Sequence, residues 1–186
     1  MLFYGGKVVW GMKARNMALC GLFAAVLTLC AWIAIPVGDI AVTLQTFGIF
    51  LTLGLLGGKR GSITVLVYLL LGAAGLPVFS GFRGGFGMLL GATGGYLWGF
   101  LLCALLYWLI TALFGKRFHL LGCLLGLVLC YGLGSFWFYR VYLQAGSPLG
   151  IGFVILKCVV PFVLPDLVKL FLALALSKKL KRFAAA

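Results

Sequence analysis

Long apolar runs, broken by short clusters of cations, constrain this chain more than any other feature. Hydrophobic residues make up 65% of the 186 positions and charged residues 9%, against roughly 25% charged in soluble domains. A helix that crosses a bilayer needs roughly 20 predominantly apolar residues, and the sequence divides into about six such stretches. The expectation is an all-α integral membrane protein, a bundle of six transmembrane helices without a soluble domain.

The formal net charge of +13 is not the footprint of a nucleic-acid groove. Most cations sit at the ends of apolar segments, as Lys13/Arg15, Lys59/Arg60, Lys116/Arg117 and Lys178/Lys179/Lys181/Arg182. Such clusters mark the cytoplasmic ends of membrane helices, which places both termini in the cytoplasm. The run after Lys7, Lys13 and Arg15 is longer than a signal-peptide core and lacks a convincing cleavage site, so it reads as a retained first span.

On this pattern helices are predicted over about 17–35, 44–57, 61–75, 94–114, 119–139 and 150–176. Residues 1–16 form a cytoplasmic N-terminal segment, 17–176 the membrane domain and 177–186 a basic cytoplasmic tail. Pro36, Gly38 and Asp39 end the first helix outside, and "QAGSPLG" after Arg140 makes another outer loop. The second helix is short, and an odd helix count would put the termini on opposite sides. Trp32, Trp98, Trp137 and Tyr139 fall near outer ends, Tyr107 and Trp108 near an inner one, the distribution of an interfacial aromatic belt.

Six cysteines occur, none in a C-x-x-C pair, and most lie within apolar runs as small hydrophobes. His119, the one histidine, follows Lys116 and Arg117 and reads as a surface residue. The sequence carries no phosphate-binding loop, no dinucleotide fingerprint, no metal-ligand cluster and no nucleophile–base pair. Neither a cofactor nor a metal is expected, and any ATP hydrolysis belongs to a partner.

Three features stand out. Asp166, one of two acidic residues, lies three positions before Lys169 in the last apolar run, so the two share a helix face. Lys169 is about 13 Å along the axis from Lys178, farther than its stem reaches toward headgroups. The pair is therefore expected to face the bundle interior. A packing ion pair is one reading and a substrate or ion route the other. The second is favoured because buried pairs seldom add net stability, whereas membrane-buried charges mark functional paths. Pro161 and Pro165 nearby are expected to loosen the helix and free carbonyls.

The second feature is the glycine-rich segment 75–95, with Phe82, Arg83, Phe86 and Met88 set among glycines. It reads either as a lid whose backbone N–H groups approach an anion or as a flexible connector. The third is the small-xxx-small spacing of Gly21 and Ala25, beside Cys20 and Ala24, which permits close helix contact within the bundle or with another membrane protein.

Four stretches together, "LQTFGIFLTLGLLGGKRG" (44–61), "LLGAAGLPVFSG" (70–81), "GGFGMLLGATGGYLWGF" (84–100) and "PFVLPDLVK" (161–169), resemble the biotin-specific substrate-capture component, BioY type, of energy-coupling factor (ECF) transporters. The resemblance implies a six-helix subunit that captures biotin on the outer side. Delivery by toppling in the membrane would need a transmembrane coupling subunit and two cytoplasmic ATPases. It implies ligand contacts from Asp166, Lys169, Arg83, Gly84, Gly85, Tyr96 and Gln45, and a coupling-subunit face at Gly21, Ala24 and Ala25. Biotin's ureido ring offers two N–H donors and a carbonyl, which suit Asp166 and Lys169, and its carboxylate suits Arg83 or loop amides. Some family members carry Asn at the position of Arg83 and Arg at that of Leu97, so Arg83 is expected to replace that cation. The alternatives are a capture subunit for another vitamin, a membrane enzyme using Asp166 and Lys169 as acid and base, and a scaffold without ligand.

Overall fold

The computed structural model describes residues 5–37, 40–146 and 149–185. Asp39 and Gly38 of the first expected outer loop, and Ser147 and Pro148 of the later one, lie outside the described residues. The elements are α1 (Gly5–Trp32), β1 (Ala34–Val37), β2 (Ile40–Thr43), α2 (Gln45–Ala73), α3 (Phe86–Leu90), α4 (Gly94–Leu113), α5 (His119–Gln144), α6 (Ile151–Cys158) and α7 (Val160–Ala185), with a 3-10 turn, Lys116–Phe118, before α5. Among the described residues, five helical segments are long and apolar enough to cross a membrane: Ala14–Trp32, Gln45–Ala73, Gly94–Leu113, Lys116–Gln144 and Ile151–Arg182. The molecule is a multi-pass membrane protein.

Helix α2 is not straight. Gly57 has φ +79° and ψ 176°, a conformation that favours glycine and cannot continue a helix. The chain doubles back there. A Cβ on Gly61 would lie 2.7 Å from Leu53 Cδ2, and Gln45 at one end bonds Tyr68 near the other. The two halves thus run antiparallel, matching the separate helices expected over 44–57 and 61–75. Lys59 and Arg60 follow directly on the elbow.

The packing of α4 on α5 rests on small residues. Gly95, Gly99 and Cys103 recur every four positions on α4, and Gly122, Gly126, Cys130 and Gly134 do so on α5. Each row lies on one helix face, and the rows interlock: Gly99 meets Cys130, Gly126 meets Cys103 and Gly134 meets the Tyr96 ring. Between helices in lipid, such close backbone approach replaces the hydrophobic effect as the source of attraction. Helix α2 packs on α1, α4 and α7. The core joins Leu27, Phe50, Leu53, Val65, Tyr68, Phe79 and Leu170.

Several sequence expectations need correction. The fold is mostly helical rather than all-α, because residues 34–37 pair antiparallel with 40–43, Ala34 opposite Thr43 and Val37 opposite Ile40. Ile35, Val37, Ile40, Val42 and Thr43 are β-branched and suit extended backbone. A proline is tolerated in a ribbon that has only edges. The first helix consequently stops at Trp32, not 35, and α1 already begins at Gly5. Helix α5 runs to Gln144, which takes Arg140 into the helix. The last span breaks at Val159, so Pro161 falls in the first turn of α7, where a missing N–H costs nothing, and only Pro165 lies inside. The helix then continues through the basic residues of the expected tail.

The indoles of the expected belt have a second task. Trp32 Nε1 donates to Pro77 O at 2.8 Å, Trp98 Nε1 to Leu89 O at 3.3 Å and Trp137 Nε1 to Gly91 O at 3.0 Å. Three helices thereby staple the glycine-rich segment, which contains the short α3.

The seam of α4 and α5 supplies a test. A Cβ at Gly126 would stand 2.6 Å from Cys103 Sγ and 3.0 Å from its carbonyl oxygen, whereas Gly132 has nothing within 4 Å. Gly126→Leu is expected to destabilise the detergent-solubilised protein by about 1–3 kcal/mol, read as a lowered melting temperature. Gly132→Ala should match or exceed the wild type.

Candidate functional site

The helical rise places Asp166 and Lys169 one turn apart on the face of α7 that meets α2 and α5. They are 3% and 8% exposed, and Lys169 Nζ lies 2.7 Å from Asp166 Oδ1. The same oxygen accepts from Thr46 Oγ1 at 2.8 Å, and Oδ2 accepts from the Tyr131 hydroxyl at 2.6 Å. Lys169 also donates to the carbonyl of Thr43, at the end of β2, at 2.7 Å. Three donors on one carboxylate and two acceptors on one ammonium offset much of the cost of taking both from water. Among the described residues, one N–H of Lys169 and one lone-pair direction on Oδ2 have no partner.

A second chain of hydrogen bonds adjoins the first. Thr43 Oγ1 donates to Gln45 Oε1 at 2.9 Å, Gln45 Nε2 donates to Tyr68 OH at 2.8 Å, and Tyr68 OH donates to Val78 O at 3.0 Å. Thr43 belongs to both chains, so the ribbon, α2, α7 and the segment after Pro77 are held in one polar network.

Both chains border a cavity of about 390 Å³, within the range of roughly 300–1,000 Å³ common for small-molecule sites. Asp166, Lys169, Thr46 and Tyr131 line its buried end, and Phe79, Met88, Leu97, Phe100, Leu127 and Phe162 supply apolar wall. Arg83 lines it from the exposed side. Its backbone is fixed by the bond from Phe79 N to Arg83 O at 2.9 Å, across a turn in which Phe82 takes a positive φ of 56° and lays its ring 4.8 Å from that of Trp32.

Of the residues singled out from the sequence, Asp166, Lys169, Arg83, Tyr96 and Gln45 share this cavity. Tyr96 turns its hydroxyl to Cys158 O at 2.8 Å, bracing α4 against α6. Gly84 and Gly85 are not in the cavity wall. Gly85 N–H is already donated to Gly72 O at 2.7 Å, and a Cβ on Gly84 would collide with Leu76 O, so these glycines serve close packing against the end of α2. Ala24 is 2% exposed and belongs to the core. Gly21 and Ala25 remain on the outward face of α1. Thr43, Thr46 and Tyr131 carry no signal in the sequence that marks them. Threonine and tyrosine in apolar runs are common, and only the fold brings these three to Asp166. Leu97 lines the same cavity as Arg83.

The model of the BioY family matches residues 6–186. The chain belongs to the BioY family. It is 39% identical over 172 residues to "Biotin transporter BioY" of Thermotoga maritima, covering 90% of this chain and 96% of the relative. It is 35% identical to "Probable biotin transporter BioY" of Pyrococcus horikoshii over 170 residues, 91% of this chain and 98% of that one. Among solved structures, the S-component for biotin from an ECF-type ABC transporter superposes with a TM-score of 0.78 at 26% identity, covering 92% of this chain and 93% of that one. In this BioY-family chain the cavity and its ion pair thus sit in a fold shared with a biotin S-component.

The charge network predicts a non-additive response. Lys169→Met leaves Asp166 buried without its cation and should destabilise the purified protein by about 3–5 kcal/mol. The double variant Asp166→Asn/Lys169→Met should recover much of that loss in a thermal melt, because no unpaired charge remains.

Proposed function

We propose that this chain is the biotin-binding capture subunit of an ECF-type vitamin uptake transporter in the cell membrane. The observation that carries the reading is the Asp166–Lys169 pair, supported by Thr46 and Tyr131, at the buried end of a small-molecule cavity with Arg83 at its other side. A neutral ureido group suits the buried end. The remaining N–H of Lys169 donates to its carbonyl, and Asp166 Oδ2 accepts one of its N–H groups. The apolar wall takes the fused rings and the aliphatic chain. Arg83 holds the carboxylate from the glycine-rich segment, in place of the cation that some family members carry at the position of Leu97.

The antiparallel halves of α2 favour six crossings, with 45–56 and 58–73 as two short ones. Both termini then lie on the side of the basic clusters, taken as the cytoplasm. The relatives are named transporters, and the chain contains no nucleotide-binding loop. On this reading turnover takes a transmembrane coupling subunit and two ATPase subunits, as the family resemblance implies, with Gly21 and Ala25 on the outward face of α1 available for the first. The present residues capture and orient the ligand and carry out no covalent step.

Equilibrium binding of radiolabelled biotin to the detergent-purified protein tests this. Asp166→Asn and Lys169→Ala should each weaken binding about 10- to 150-fold, the loss of a charge-assisted hydrogen bond. Arg83→Gln should weaken biotin but leave the primary amide of biotin unaffected, since only the carboxylate meets the guanidinium. Absence of biotin binding by a folded wild type, or preference for another vitamin in competition, would overturn the assignment.

A further inference from the structure

At the end of the bundle opposite the biotin cavity, a cleft of about 1040 Å³ opens between the elbow of α2, the turn joining α4 to α5 and the last turns of α7. Lys59, Arg60, Lys116, Lys178 and Lys181 line it together with His119. No acidic residue is among its lining. Asp166, the acidic residue among the described ones, stands at the other end and is already engaged by Lys169 at 2.7 Å. Three separate elements therefore bring five cations to one concavity without a counter-charge from the described residues. Like charges so placed repel one another and attract an anion.

The geometry points to a binding site for one anionic phospholipid in this cleft, its phosphate among the cations and its acyl chains along the apolar flank. The flank decides between a lipid and a free phosphate. Leu55, Trp108 and Phe171 continue the lining away from the cationic rim, and Phe171 is 58% exposed. A phosphate ion uses none of that surface, whereas a lipid covers it and keeps its headgroup at the level where the basic clusters end the apolar spans. Basic pockets between membrane helices on the cytoplasmic side have this chemistry. An indole at the rim also suits the headgroup level. The site rests on the membrane reading of the fold and is independent of which vitamin the opposite cavity takes.

Native mass spectrometry of delipidated protein in a non-ionic detergent tests it, with dioleoyl-phosphatidylglycerol, dioleoyl-phosphatidylcholine and inorganic phosphate as probes. One phosphatidylglycerol should be retained in preference to phosphatidylcholine, and millimolar phosphate should not displace it. The cleft variant Lys59→Gln/Arg60→Gln/Lys178→Gln should lose affinity about 100-fold, at about fivefold per cation. A control of equal charge, Arg117→Gln/Lys179→Gln/Arg182→Gln, removes cations absent from the lining and should stay close to wild type. Equal loss in both triple variants, equal retention of the two lipids, or displacement by phosphate would overturn the site. So would a cleft variant that keeps its lipid but no longer assembles with the coupling subunit, which assigns the cleft to a protein partner. Melting temperature and biotin binding report folding of the variants. Failure of wild type to bind biotin bears on the capture assignment alone, because lipid retention is read by mass.

Discussion

A carboxylate and an ammonium 2.7 Å apart inside an apolar bundle make demands that the rest of the structure meets. Neither charge tolerates hydrocarbon unpaired, and the pair leaves further hydrogen-bonding capacity to satisfy. Thr46 from α2, Tyr131 from α5 and the Thr43 carbonyl from the ribbon answer it. The junction of the ribbon with α2 and the middle of α5, both distant in sequence from α7, are thereby drawn to one point on it. The convergence leaves a pocket beside the pair.

Holding such a pocket open at one end requires rigid walls. Helices α4 and α5 supply one through their rows of glycine and cysteine, which allow backbone approach that larger side chains would prevent. Above the pocket lies the segment least able to hold itself, rich in glycine and mostly irregular. Indole N–H groups from α1, α4 and α5 fasten its carbonyls, and Tyr68 fastens Val78 from below. Arg83 is therefore presented from an anchored segment.

Much of this was legible from residue order. Basic clusters at the ends of apolar runs marked helix ends, and Asp166 with Lys169 read as a pair turned to the bundle interior, where both are buried, because charge inside an apolar run has few explanations. The ribbon at 34–43 was hidden by the proline and by its shortness, since a few β-branched residues after a membrane span carry no period that separates strand from loop. Thr46 and Tyr131 were equally unreadable: most threonine hydroxyls in such helices bond their own turn, as those of Thr52 and Thr64 do here. Glycine frees N–H groups for an anion, which is what Gly84 and Gly85 suggest in the sequence, yet it equally permits close packing, and contact with Gly72 and Leu76 is what they make.

The sequence by itself determined the medium, the ends of the helices that gather positive charge, and the charged pair that no apolar helix carries without cause. These follow from transfer energies of single residues, which are local quantities. Tertiary structure alone decided which donors reach Asp166, which side of α1 stays outward, where the cavity lies, and that five cations from three elements surround one cleft. Those are distances between residues far apart in the chain, and they exist only once the glycine seam, the elbow at Gly57 and the indole staples have set the helices against one another.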